Sequence, residues 1–554
     1  MPPKQNPIIA FALSIFFLLP AAWNPAGELT EDTTWSGVHF VDETVVVPDG
    51  MVLNIEAGAE VRIADANSII VYGQLIADGT ETQPITFTHY DAGIRWKQII
   101  FIEADDSRLG HCIIEYADCA GDHKDYYDND CDANTPPLSR EYHEAVVVVA
   151  SHIDIEGCLF QNLPDGGASA EGDAIAVISD DPDNPGEASA NIASCRFISI
   201  GQGVHTRFSY VLVEDCYFTG HHGDNDDVDL YGESTPAPLI LNNLLLNPGH
   251  DDMINPTRCS AVLIGNIVAG SDDHGIVLRD KCAPVLINNL IYDCSSAGIA
   301  VQNQCDALIV NNTIFDCDRG IRFFDHTGRW GPPYCLFPGS GKATIVNSII
   351  RDCPTPLLLT DSPWAGDRGS HATVINCNIE GGQAATSVSA NSTLTWGAGN
   401  IDADPQFVDP DGPDNVLATE DDNFRLLSLS ACIDAADNRA IPADMFDLDG
   451  DGDTAERFPF DFDGNPRFLD YLSAADTGVP DLPDYPDIAD IGAYEFMPGD
   501  LDGGGDVGPA DLCTFAQHWR HTGCGSCEGA DLTADGNVDF NDWLELAKNW
   551  LIGR

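Results

Sequence analysis

Short apolar runs parted by small polar residues recur along most of the chain. The stretch "CAPVLINNLIYDCSSAGIAVQNQ" (residues 282–304) is followed at once by "CDALIVNNTIFDCDRGIRF", the same pattern moved along by 23 residues. Aligned on a short apolar–x–Asn core, "LIGN" ends at Asn266, "LINN" at Asn289 and "IVNN" at Asn312, while Cys259, Cys282 and Cys305 keep the same step. Looser copies end at Cys158, Cys195, Cys216, Asn243, Ser348 and Cys377. The runs are rich in Val, Ile and Leu and bounded by Gly, Asn and Ser, with no sustained helical period, so they predict strands and turns. Three short strands per repeat make one coil of an all-β solenoid, a parallel β-helix whose coils stack about 4.8 Å apart. Residues 27–400 have room for roughly a dozen such coils.

Stacking places like residues above one another. The column Asn266, Asn289, Asn312 predicts an asparagine ladder at a turn, where Asn tolerates the left-handed conformation. In the column Cys259, Cys282, Cys305, disulfides and buried free thiols are both open. Residues 45–88, "VVVPDGMVLNIEAGAEVRIADANSIIVYGQLIADGTETQPITFT", resemble the opening of secreted, pectin-lyase-like β-helices. That resemblance, with the crossover rule, implies a right-handed coil. Residues 401–497 change character, with "DADPQF", "CIDAAD", "DGNPR" and "DIGAYE". They resemble the Asp-rich closing segment of many bacterial secreted β-helices, and a solenoid needs a cap on its last coil.

The chain ends in a duplication. "GDLDGGGDVGPADLCTFAQHW" and "ADLTADGNVDFNDWLELAKNW" are offset by 31 residues, each an acidic loop followed by an amphipathic run. A twelve-residue Ca²⁺ loop takes oxygen ligands at positions 1, 3, 5, 7, 9 and 12, with Gly at 6. The second copy supplies Asp531, Thr533, Asp535, Asn537 through its carbonyl, Asp539 and Asp542, around Gly536. The first supplies Asp500, Asp502, Asp506 and Asp511 around Gly505, but has Gly504 and Gly508 at positions 5 and 9, which predicts a weaker site. The pair resembles a type I dockerin domain over residues 498–554. The resemblance implies two Ca²⁺ ions and a cohesin-like or cell-surface scaffold as partner. Its usually hydroxylic recognition pairs are here Pro509–Ala510 and Phe540–Asn541. A third acidic loop, "DLDGDGDTAE", alternates Asp447, Asp449, Asp451 and Asp453, a spacing that suits Ca²⁺ although position 12 is Phe458.

Composition narrows the class. The chain has 89 acidic and 25 basic residues among 554, a net charge of −64, which disfavours nucleic acid and anionic membrane. Lys4 followed by "IIAFALSIFFLLPAA" and a small-residue exit predicts a secretory leader over residues 1–26, too short for a membrane span. A secreted or cell-surface monomer without a membrane span is expected. The 18 cysteines fit an oxidising compartment, and Cys524–x–x–Cys527 is expected as a disulfide rather than a zinc site.

Candidate chemistry lies in the coils before the regular repeat. "GDNDDVDLYG", "GHDDMINP" and "GSDDHGIVL" carry the pairs Asp226–Asp227, Asp251–Asp252 and Asp272–Asp273, about one coil apart. Carboxylates stacked at the coil spacing repel by roughly 3–4 kcal/mol per pair, so the column needs a cation or raised pKa values. Asp227, Asp252 and Asp273, with His274 beside them, are the candidate catalytic residues. The arrangement is loosely similar to polygalacturonase-type β-helices, which implies a polysaccharide hydrolase or lyase. Arg279, six residues beyond Asp273 along a strand, is expected outside that site. Arg258 and Lys281, one coil apart, are the candidate cations for an acidic sugar. A glycan-binding or adhesion β-helix, with a structural Ca²⁺ in the column, is the alternative.

Overall fold

The computed structural model describes residues 27–117, 144–163, 172–179, 185–221, 226–246, 252–326, 339–362, 369–523, 527, 529–533 and 535–550. The expected leader therefore lies outside the described residues. Three long parallel sheets form the body: one of 14 strands and two of 13, each strand pairing with its counterpart one coil away. The described residues thus build the expected parallel β-helix. The coil interior is one continuous core from Trp35 to Ile379, including stacked Phe160, Phe197 and Phe218.

The repeat alignment is realised residue by residue. Along one interior turn the chain stacks Cys112, Cys158, Cys195, Cys216, Asn243, Asn266, Asn289, Asn312, Ser348, Cys377 and Asn400. At every step but that from Cys158 to Cys195, a backbone N–H bonds to the side chain one coil on. Asn266 Nδ2 donates to Asn289 Oδ1 at 2.9 Å, and Asn289 Nδ2 to Asn312 Oδ1 at 2.9 Å. These amides are fully buried and satisfied, as buried polar groups must be. The left-handed residue is not the ladder asparagine but the one before it: Asn242, Asn288, Asn311, Asn347 and Asn376 have φ between 47° and 56°. The column of Cys259, Cys282 and Cys305 consists of buried free thiols, which settles the open choice in this structure.

Residues 401–497, expected at the open end, make their described contacts along the flank of the coils. Phe424, Ile433, Ile491 and Phe496 pack on outward apolar residues such as Leu241, Ile264, Ile287 and Tyr292. The left-handed asparagines form the docking row. Asn288, Asn311, Asn347 and Asn376 donate through Nδ2 to the carbonyls of Phe460, Asp490, Asp437 and Ala435. Buried Arg467 anchors the row, donating to Asn288 Oδ1 and Ala493 O at 2.6 Å each.

The duplicated tail folds as two loops, each leading into a helix, Pro509–His518 and Phe540–Lys548. The loops use the same internal bonds. Asp500 accepts from Gly504 and Gly505 N–H, and Asp531 from Asp535 and Gly536 N–H. Asp511 reaches back to Leu501 and Gly508 N–H, and Asp542 to Thr533 and Asp539 N–H. Cys527 is disulfide-bonded; Cys524 lies outside the described residues.

Candidate functional site

The acidic pairs precede three strands of the third sheet, Val228–Tyr231, Ile254–Thr257 and Ile276–Leu278; the same sheet holds Val204–Arg207 before them and Ala297–Gln302 and Arg319–Phe324 after them. Val228 pairs with Ile254, and Ile254 with Ile276. Two residues before each of these lie Asp226, Asp252 and His274. The column in register is therefore Asp226, Asp252, His274, one residue away from the expected Asp227, Asp252, Asp273. A slip of one position moves a strand residue to the opposite face. Asp227 belongs to the inward column, where its neighbours in register are small or apolar: Gly203, Met253 and Gly275. It is 1% exposed and paired with His221 Nδ1. Burial pushes its carboxyl above the ordinary range, against the pull of His221. Asp227 is therefore an interior pair, apart from the outward site. Asp251 lies outside the described residues.

Asp252, Asp273 and His274 do converge. His274 Nδ1 is 3.0 Å from both Asp252 Oδ1 and Asp273 Oδ1, and Nε2 is 3.3 Å from Ser296 Oγ. Burial disfavours the imidazolium, but the hydrogen bonds it donates to Asp252 and Asp273 outweigh it and raise its pKa to about 9. His274 is therefore protonated at neutral pH. The hydrogen bond from His274 in turn holds Asp273 below the usual carboxylate range, and Asp273 remains 45% exposed.

Arg279, expected outside the site, enters it from the end of its strand. Its Nη2 donates to Asp252 Oδ2 at 2.7 Å, so Asp252 bridges imidazole and guanidinium. The reason is topological: Arg279 pairs with Thr257 of the coil below, which returns it over Asp252. The expected pairing of Arg258 with Lys281 is also displaced. Since Thr257 aligns with Arg279, Arg258 aligns with Asp280, 3.9 Å away.

Of the cations that share this face the sequence singled out Arg258, but not Arg207 or Arg322, nor the aromatic rings beside them. Arg207, Tyr231, Thr257 and Arg279 stand in one outward row. His205, Asp229 and Asn255 form the neighbouring row, which Arg322 joins three coils on. Arg258 Nη1 bonds Tyr231 OH at 2.5 Å, and Arg322 lies 3.9 Å over the Phe324 ring. Phe324 in turn stacks on His274 at 6.2 Å. In a chain of only 25 basic residues, Arg207, Arg258, Arg279 and Arg322 gather here. Strand alternation, counted from a fixed register, was the one signal that could have found them.

Acidic groups also converge elsewhere. Asp500, Asp502 and Asp511 bring oxygens within 4.8 Å of one another in the first tail loop. In the third loop, Asp447, Asp449 and Asp451 do the same, and Asp449 also meets Asp444 and Glu456. The loop is closed by Asp444 N–H donating to Glu456 O at 3.0 Å. Asp444 and Glu456 each turn a buried oxygen without a hydrogen bond toward this cluster. Glu456 and Asp444 thus bring two further carboxylates to a loop that has Phe458 at position 12.

Residues 226–400 match the family model described as the right handed beta helix region, and the body is a right-handed parallel β-helix. No protein of curated function matches the chain significantly. Among solved structures, the chain is similar to the periplasmic alginate epimerase AlgG at 9% identity, covering 67% of this chain and 82% of that one, with a TM-score of 0.34. It is similar to a tailspike protein of the E. coli bacteriophage HK620 at 12%, covering 67% and 72%, with a TM-score of 0.35. The catalytic domain of a GH87 alpha-1,3-glucanase shows 11% identity, covering 69% and 70%, with a TM-score of 0.33.

Proposed function

We propose that this protein is an exported polysaccharide-active β-helix whose third sheet takes an acidic, uronate-bearing chain. The observation that carries the reading is the joining of His274 and Arg279 through Asp252 beside the stacked Arg322–Phe324 pair. An imidazolium and guanidinium groups at one face neutralise a sugar carboxylate, and aromatic rings give a glycan its flat contact. Within the hydrolase-or-lyase alternative, the charge states favour elimination. Glycoside hydrolysis uses a carboxylic acid with raised pKa as proton donor, whereas Asp273 is held low. In an elimination, His274 supplies the proton to the departing oxygen and ionised Asp273 accepts one from the sugar carbon beside the carboxylate. Arg279 and Arg322 stabilise the charge that develops.

The second reading is glycan binding without turnover. It is favoured by Asp252 and Asp273, whose two carboxylates already balance His274 and Arg279 internally. Incubation of the purified full chain with a panel of uronate and neutral polysaccharides separates the two. Unsaturated sugar ends, read by their ultraviolet absorbance, support elimination. Retention of uronate chains without products supports the binding reading, and indifference to every uronate chain sinks both.

Ca²⁺ is proposed at the tail loops (Asp500, Asp502, Asp506, Asp511; Asp531, Thr533, Asp535, Asn537, Asp539, Asp542) and at Asp447, Asp449, Asp451 and Asp453 with Asp444 and Glu456. The tail is proposed as a dockerin-like attachment module. What supports it is the loop–helix duplication and an apolar groove lined by Leu512, Phe515, Ala516, Trp519, Phe540 and Trp543.

A further inference from the structure

Asp434 is 1% exposed, and neither of its carboxylate oxygens accepts a hydrogen bond. The Tyr471 backbone N–H leans toward it without reaching hydrogen-bond geometry. Leaving a buried carboxylate so unsatisfied is costly unless something else compensates it. Its surroundings make matters worse: the largest charges acting on it are those of Asp490, Asp470 and Asp476, all negative. Asp490 lies directly behind, accepting the Asp434 N–H through Oδ1 at 2.8 Å. In front, Asp470 and Asp476 bring carboxylate oxygens within 4.8 Å of Asp434 and of each other, and both are exposed. The turn that carries them is fixed to the segment of Asp434, since Thr477 and Gly478 N–H both donate to Asp434 O.

From this geometry we infer a divalent-cation site, distinct from the tail loops and from the loop at Asp447, in which Asp434, Asp470 and Asp476 bind Ca²⁺. An all-oxygen, all-carboxylate donor set suits a hard cation, and the exposed pair leaves coordination positions open to water. Asp434 supplies the buried anchor, while Asp470 and Asp476 close over the ion from the solvent side. The same turn touches the tail: Ser473 Oγ donates to Asp531 O at 3.1 Å. Filling the site therefore stiffens the seam between residues 401–497 and the second tail loop.

The test uses the full chain, stripped with a chelator and dialysed against Ca²⁺, with bound metal counted per chain by elemental analysis. Asp470→Asn and Asp476→Asn, at exposed positions, each lose one Ca²⁺ relative to wild type. So does Asp434→Asn, which also melts no lower than wild type in chelator because neither carboxylate oxygen has a hydrogen bond to lose. Asp449→Asn serves as the control, its loss adding to that of Asp476→Asn when the two are combined. Unchanged stoichiometry in Asp470→Asn and Asp476→Asn overturns the site and leaves Asp434 as a buried carboxylic acid. Should Asp434→Asn fail to fold, the two exposed variants decide the matter.

Discussion

Asp252 and His274 lie one coil apart and are joined at 3.0 Å, with Asp252 also holding Arg279. Protonation of His274 is thereby tied to the folded state. Its folded pKa of about 9 exceeds the ordinary 6.5, so its stabilisation is complete below pH 6.5 and is lost as pH rises through 9. The shift corresponds to about 3 kcal/mol. Denaturant titrations across this window should show stability falling more steeply in the wild type than in His274→Gln. An equal slope in both would contradict the assignment.

Removal of Arg279 leaves the Asp252 carboxylate buried with one partner fewer. Arg279→Ala should cost about 3–5 kcal/mol by chemical denaturation. Asp252→Asn should lower the pKa of His274, which NMR titration of the imidazole would follow.

Asp227 and Asp273 were equivalent candidates in the sequence and are not equivalent in the fold. Asp273→Asn should abolish turnover and weaken the pH-dependent stabilisation from His274, without unfolding the chain. Asp227→Asn should affect stability, through His221, with little loss of glycan binding. Activity assays paired with melting curves check the contrast, and the reverse pattern would place the site on the inner column.

Asn289 shares both side-chain groups with ladder neighbours, accepting from Asn266 and donating to Asn312. Asn289→Ala strands buried donors on one side and a buried acceptor on the other, at about 1–3 kcal/mol each. Thiol-reagent kinetics offer a parallel check on the same turn. Cys513 is exposed and should react in the native protein, while Cys112, Cys158, Cys195 and Cys216 should wait for unfolding.

The coil repeat was legible because its turn residues are chemically specific. Asparagine or cysteine followed by an apolar run marks the interior turn, and each copy found by that mark falls in the ladder. The candidate site was less legible because it depends on register at single-residue resolution. In "GDNDDVDLYG" both aspartates look alike, and only their partners in the fold separate them, Asp226 accepting from Asn255 of the outward row while Asp227 pairs with buried His221. Arg279 was misjudged for a related reason. Distance along the strand was considered, whereas the partner that matters belongs to the coil below. Residues 401–497 carry no periodic signal, so nothing in them announced that the asparagines at 288, 311, 347 and 376 would be their docking row.

The most direct test of the acidic-polysaccharide assignment is the affinity of the full chain for a uronate polysaccharide and for a neutral one, compared with Arg279→Gln and Arg322→Gln. Loss of one charge-assisted contact should weaken uronate binding by about 10–100-fold and leave any neutral-glycan binding unchanged. Equal binding of both polymers, insensitive to either substitution, would contradict it.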